Sequence, residues 1–215
     1  MAYVLTYNSL QQAVQYYLER SDAPVLEEIP LFIMLGERRV ARDLKILGLK
    51  VFVTANLIPE VQILQKPARW LNTSTFNIAI ATNADPAQNT RVQIPLRSYE
   101  FCRIYWPDPN TYAQPKYIAD YDFFNYLIVP TPDQSYPYEL AYYELPSLID
   151  SAGQTNWLTA NAPDILLYAT LLETASYLKD DERVPIWTAY YDKAKAALTT
   201  EDMARIYDAY SKRGG

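Results

Sequence analysis

Asn156-Trp157-Leu158, then Asn161-Ala162-Pro163-Asp164, then Ile165 to Lys179 read as a loop, a capped helix start and a helix that is apolar almost all round. Leu166, Leu167, Tyr168, Ala169, Leu171, Leu172, Ala175, Tyr177 and Leu178 leave only Thr170, Glu173, Thr174 and Ser176 as polar interruptions. A helix without a polar face is either a membrane span or the central rod of a bundle. From Asp164 to Lys179 the run falls short of the ~20 apolar residues that a bilayer crossing requires. It is therefore expected to be a core helix, with the other helices packed on it.

Helices are expected on both sides of it. Leu10, Ala13, Val14, Tyr17 and Leu18 recur at helical spacing, with Asn8 or Ser9 as the N-cap. Ser21-Asp22-Ala23-Pro24 breaks the chain. A second helix is expected from Ile29-Pro30, where proline fits a first turn, to Gly48 as the left-handed stop. Its second half carries Glu37, Arg38, Arg39, Arg42, Asp43 and Lys45, which read as a solvated face. Arg38 and Arg42 repel there, Arg39 attracts Asp43, and the arginines form a candidate partner contact. Downstream, Asp180-Asp181-Glu182-Arg183 is a turn, with the first three residues a weak candidate for a hard cation. Beyond Pro185, Trp187, Tyr190, Tyr191, Ala194, Ala197 and Leu198 form a helical stripe, expected to lie antiparallel to the core helix. A helix restarts at Thr200-Glu201-Asp202 with Met203, Ile206, Tyr207 and Tyr210 on one face, ahead of the basic end Ser211 to Gly215. That last segment either folds back on its own bundle or docks in a partner's groove.

Between the helical portions the period changes from 3.6 to 2. Lys50 to Ala55 is β-branched, Ala68 to Ala81 suggests a strand pair, and Thr82 to Asn89 is a loop by composition. Arg91 to Leu96 alternates, and Ser98 to Tyr105 is a helix or a strand that periodicity does not settle. Pro115 to Val129 reads as a hairpin turning near Asp120-Tyr121-Asp122, and Tyr136 to Glu144 as a further strand. The chain is thus expected to be α+β: mainly a helical bundle (1–59 and 147–199), an inserted antiparallel β region (60–146) and a C-terminal helical arm (200–215).

Composition narrows the chemistry. Among 215 residues there are 20 Tyr and 15 Pro, 5 Gly and no His. Tyrosine in excess suits partly wet interfaces, and equally the two faces of a sheet. Without histidine, every His-based triad, general base and metal cluster is excluded. No glycine-rich phosphate loop occurs, and the single Cys102 forms neither a disulfide nor a cysteine metal site alone. Neither a cofactor nor enzymatic activity is expected. A net charge of −6 argues against binding nucleic acid by neutralising phosphates. The N-terminus lacks the pattern of a signal peptide, so the chain is expected to be made in a reducing cytoplasm.

The order of features resembles the head-to-tail adaptor (connector) proteins of short-tailed bacteriophages. The residues that carry the resemblance are Pro130-Thr131-Pro132-Asp133, Tyr136, Leu140-Ala141-Tyr142-Tyr143, Leu148, Asn156-Trp157-Leu158, Pro163 to Ala175 and Tyr177 to Arg183. The match is good over 130–198, weaker elsewhere, and mostly structural. The resemblance implies a virion protein that forms a ring, usually of twelve copies, below the portal. Such a ring extends the DNA channel and gives tail nozzle or fibre proteins a docking surface. Genomic DNA passes without specific binding, and no membrane is involved. It also implies that the C-terminal segment reaches the portal, here through Met203, Ile206, Tyr207 and Tyr210 with Lys212 and Arg213 at the periphery. Arg38, Arg39 and Arg42 are the candidate subunit contact. The alternative reading is an aromatic-rich carbohydrate- or partner-binding module of a tail fibre or baseplate.

Overall fold

The computed structural model describes residues 4–80, 89–178 and 182–211, with side chains except at Ser176 and 206–211. The fold is mixed α+β. Its helices are α1 (Tyr7–Leu18), α2 (Ala23–Asp43), α3 (Tyr99–Tyr105), α4 (Trp157–Asn161), α5 (Pro163–Leu178) and α6 (Val184–Ser211). Its strands are β1 (Lys50–Asn56), β2 (Ile63–Gln65), β3 (Trp70–Ile80), β4 (Thr90–Gln93), β5 (Leu96–Arg97), β6 (Tyr117–Asp120), β7 (Asn125–Val129) and β8 (Pro137–Glu144). The described chain divides into a helical unit, up to Leu49 and again from Leu145, and a β unit, Lys50–Glu144.

In the helical unit α5 packs against α1, α2, α4 and α6, the place expected of a rod apolar all round. Ile165, Leu166, Ala169 and Leu171 are buried, and so are Thr170 and Thr174. Both threonine hydroxyls donate to carbonyls of their own helix, those of Leu166 and Leu171, so burial leaves neither donor unpaired. Between α5 and α2 the backbones come close at Gly36. A Cβ there would lie 2.9 Å from the Thr170 backbone nitrogen. Beside this approach Arg39 Nε donates to Glu173 Oε1 at 2.6 Å, and Phe32 meets Tyr177 edge-on.

Several local expectations shift. Thr6, not Asn8 or Ser9, caps α1, because Ser9 at the third helical position closes a capping box with Thr6 in both directions. Helix α2 starts at Ala23 rather than Ile29: Pro24 occupies the first turn and Pro30 lies inside the helix. It ends at Asp43, and Gly48 lies in a 3₁₀ turn (Leu47–Leu49) without a positive φ. What Gly48 supplies is room, since the Trp157 ring stands 2.0 Å from where its Cβ would be. Asn156-Trp157-Leu158 is not a loop but the capped start of α4, with Asn156 Oδ1 accepting from the Leu158 and Thr159 amides. Arg39 pairs with Glu173 rather than Asp43, whose Oδ2 accepts from Tyr191 on α6 at 2.9 Å. No helix restarts at Thr200, because Thr200 to Ser211 continue α6.

Glu37, read as part of a solvated face, is fully buried. The amide of Ile149 donates to both of its oxygens at 3.2 and 3.3 Å, and Asn156 Nδ2 donates to Oε1 at 2.6 Å. Burial outweighs these donors and pushes its carboxyl up to about 7. Asn156 therefore holds α4 with its oxygen and the end of Glu37 with its nitrogen.

The β unit is a layered stack. One sheet has the order β1-β8-β3-β4, all antiparallel, and the other β2-β7-β6-β5. The expected antiparallel region is corrected at one place: β5 pairs with β6 in parallel, with Leu96 opposite Ile118. The intervening α3 makes that crossover possible. It also settles Ser98–Tyr105 as a helix capped by Ser98. The strand pair expected over 68–81 is the single strand β3, and the loop expected over 82–89 falls almost wholly outside the described residues. Phe76, Ile78, Leu140 and Tyr142 of the first sheet meet Ile118, Tyr126 and Ile128 of the second in one core. The alternate residues Ala119, Leu127 and Val129 face Cys102, Phe101 and Trp106 from the α3 side.

Two outcomes test the helical unit. Gly36→Ala should destabilise it by about 1–2 kcal/mol in urea unfolding, overpacking against Thr170 outweighing alanine's helix preference; a stabilised variant would contradict the close approach. Glu37 gains affinity for its proton on folding, so its stabilising contribution is fully present below about 4.5 and lost as pH rises through about 7. No histidine titrates in that window. The urea midpoint of the native chain should therefore fall between pH 5 and 7.5, and Glu37→Gln should flatten that fall.

Candidate interaction surfaces

Among the described residues no group of three or more His, Cys, Asp or Glu is placed to hold a metal ion. Asp180 and Asp181 of the suggested cation cluster lie outside them. Cys102 is buried, and burial pushes its thiol up, away from the reactive thiolate. A cavity of about 340 Å³ opens on the first sheet between β1, β8, β3 and β4. Its lining is mixed, with Asn56, Asn77, Arg91 and Glu139 beside Ala55, Ile78 and Pro137, and Tyr138 is its single aromatic. Tyr138 is stacked on Phe76 at 5.1 Å, so it belongs to the core rather than to a platform for a sugar ring. No helix among the described residues is long and apolar enough to cross a membrane. The chemistry on display is that of surfaces.

The arginines of α2 part company. Arg39 is held inside the helical unit by Glu173. Arg38 and Arg42 are exposed on the outward face, and Arg42 Nε donates to the Arg38 carbonyl. Among the described residues neither has a carboxylate partner.

Along α6, Trp187, Tyr191 and Leu198 are buried, and so is Asp202, whose carboxylate accepts from the Leu47 amide at 3.2 and 3.3 Å. The helix is therefore docked on its own unit as far as Asp202, and Met203 next to it is exposed. Ile206, Tyr207 and Tyr210 continue the helix in backbone only, and Lys212 and Arg213 lie outside the described residues.

A third surface escaped the sequence reading. The β6–β7 turn, Tyr121 to Phe124, carries Phe123 and Phe124 at 69% and 68% exposure. Behind it Lys66 is buried to 2% side-chain exposure. Its ammonium lies 3.8 Å from the Trp70 ring centroid and 4.8 Å from that of Tyr126, donates to the Asp122 carbonyl at 2.9 Å, and pairs with Asp120 Oδ1 at 2.6 Å. Burial in this cage also pushes the Tyr126 hydroxyl up to about 12. The turn is fixed further by Asp122, whose Oδ1 accepts from the Phe124 amide at 2.7 Å and whose Oδ2 accepts from Asn125 Nδ2 at 2.9 Å. The signal available in sequence was two adjacent phenylalanines directly after a turn aspartate, a position where alternation has no inward face to fill.

The family model for the SU10 adaptor protein matches residues 5–213, and the chain belongs to this family of phage head–tail adaptors. The motifs between Pro130 and Leu198 pointed to such an adaptor. No curated protein matches the sequence.

Proposed function

We propose that the chain is a structural component of the virion that forms a ring below the portal, with twelve copies as the expected number. The ring joins the capsid to the tail and extends the channel through which the genome leaves. The observation that carries this reading is the adaptor-family match along nearly the whole chain. The surfaces agree with it. A rigid helical unit around α5 suits the body of a ring, and exposed aromatic and basic groups at separate places suit repeated contacts. The net charge of −6 gives a channel wall little attraction for phosphates.

In this reading residues 200–215 are the arm that reaches the portal. Met203, Ile206, Tyr207 and Tyr210 supply the apolar anchors, with Lys212 and Arg213 at the rim. Arg38 and Arg42 face a neighbouring subunit, and Arg39 supports them through its bond to Glu173. Tail nozzle or fibre proteins are then partners of the assembled ring.

A chain truncated after Asp202, which keeps the carboxylate that accepts from the Leu47 amide, tests the arm. Co-sedimentation with purified portal should fall at least tenfold, while circular dichroism shows the helical unit still folded. Portal binding at the level of the full chain would overturn the assignment.

A further inference from the structure

We propose that the β6–β7 turn of one copy docks on the outward face of α2 in a second copy. This rests on the ring reading above and names the surfaces that would form its repeating contact. On the donor side, Phe123 and Phe124 meet edge-to-face at 5.1 Å on a turn whose backbone is held from three directions. Lys66 grips it through the Asp122 carbonyl, the Lys66 amide donates to the Phe124 carbonyl at 2.7 Å, and the Asp122 side chain closes the turn from within. Two large apolar rings carried on a backbone that is already held lose less freedom on binding than rings on a loose loop, which suits an interface anchor. The charge at this turn is also ordered. Asp120 pairs with the buried Lys66 while keeping an exposed side, and Asp122 lies at the surface, so a partner meets two phenyl rings beside carboxylates that leave the turn with one net negative charge.

The receiving surface has the complementary pattern. Leu31, Leu35, Arg38 and Arg42 follow at spacings of four, three and four and so form one stripe of α2. Leu31, Arg38 and Arg42 are exposed, and Leu35 is half-buried. The stripe is apolar toward the start of the helix and cationic toward its end. Arg38 and Arg42 repel each other one turn apart, with no carboxylate partner among the described residues. A carboxylate from outside would relieve that repulsion, and leucines beside it would cover phenyl rings. Both halves of the match are on this chain, which points to a second copy rather than a different protein. Donor and acceptor are different surfaces, so the contact is heterologous, the type of contact from which a closed ring is built.

Photo-crosslinking on the full-length chain tests this directly, with p-benzoylphenylalanine at position 123. Irradiation should give a dimer-sized adduct whose crosslinked peptide contains Leu31 to Arg42 of the second copy. Sedimentation of Phe123→Ala/Phe124→Ala and of Arg38→Glu/Arg42→Glu should each show self-association weakened at least tenfold, with far-ultraviolet circular dichroism unchanged. An adduct elsewhere on the second copy, or full association by either double variant, would overturn the pairing and leave the ring standing. A chain that stays monomeric up to its solubility limit yet binds portal would also overturn it, and would leave the adaptor reading intact.

Discussion

Helices α2 and α5 meet at Gly36, which brings no side chain of its own to the contact with Thr170, and the helical unit is arranged around that approach. A residue with a Cβ at Gly36 would enter the space of the Thr170 backbone. The short distance lets Arg39 reach Glu173 and brings Glu37 under the segment that returns from the β unit. Glu37 is then closed off by Asn156 and the Ile149 amide, and Asn156 in turn starts α4. A buried carboxylate, a helix cap and an interhelical ion pair thus gather around one close approach of two helices.

The β unit follows the same logic with a buried cation. Lys66 would be costly inside a protein without compensation, and it has four partners: two aromatic faces, a carboxylate and a carbonyl. What they fix is the one turn that holds two phenylalanines in solvent. Buried charges therefore do structural work in both units, and in each the polar partners come from segments distant in sequence.

That distance explains what the sequence made legible. The apolar rod α5, most strands of the β unit and the stripe of α6 follow from composition and alternation, so they could be read directly, whereas the short β2 and the single strand β3 could not. Pro24 and Pro30 misplaced the start of α2, because proline marks a first turn but does not forbid an interior position when the rest of the helix packs. Glu37 looked solvated by residue type, yet its spacing to Ile33, Val40 and Leu44 puts it on the buried stripe. Only its remote partners at Ile149 and Asn156 make that burial tolerable. The parallel pairing of β5 with β6 depends on α3, whose own sequence was ambiguous. Of the candidate site residues, Arg38, Arg42 and Met203 are exposed, whereas Arg39 is engaged by Glu173. Phe123 and Phe124 passed as ordinary strand residues because the hairpin turn was placed one residue before them, although two adjacent phenylalanines after Asp122 break the alternation.

For a phage adaptor these features have a common sense. The proposed ring needs a body that does not deform when each copy touches its neighbours, and surfaces that are ordered before contact. Close helix packing supplies the first, and the caged lysine behind the aromatic turn supplies the second. The most direct test of the account is a cryo-electron microscopy reconstruction of the virion that carries this chain. A hollow ring of this fold, with α6 directed at the portal, is the predicted result; density for the fold in tail fibres or baseplate, with none at the head–tail junction, would contradict it.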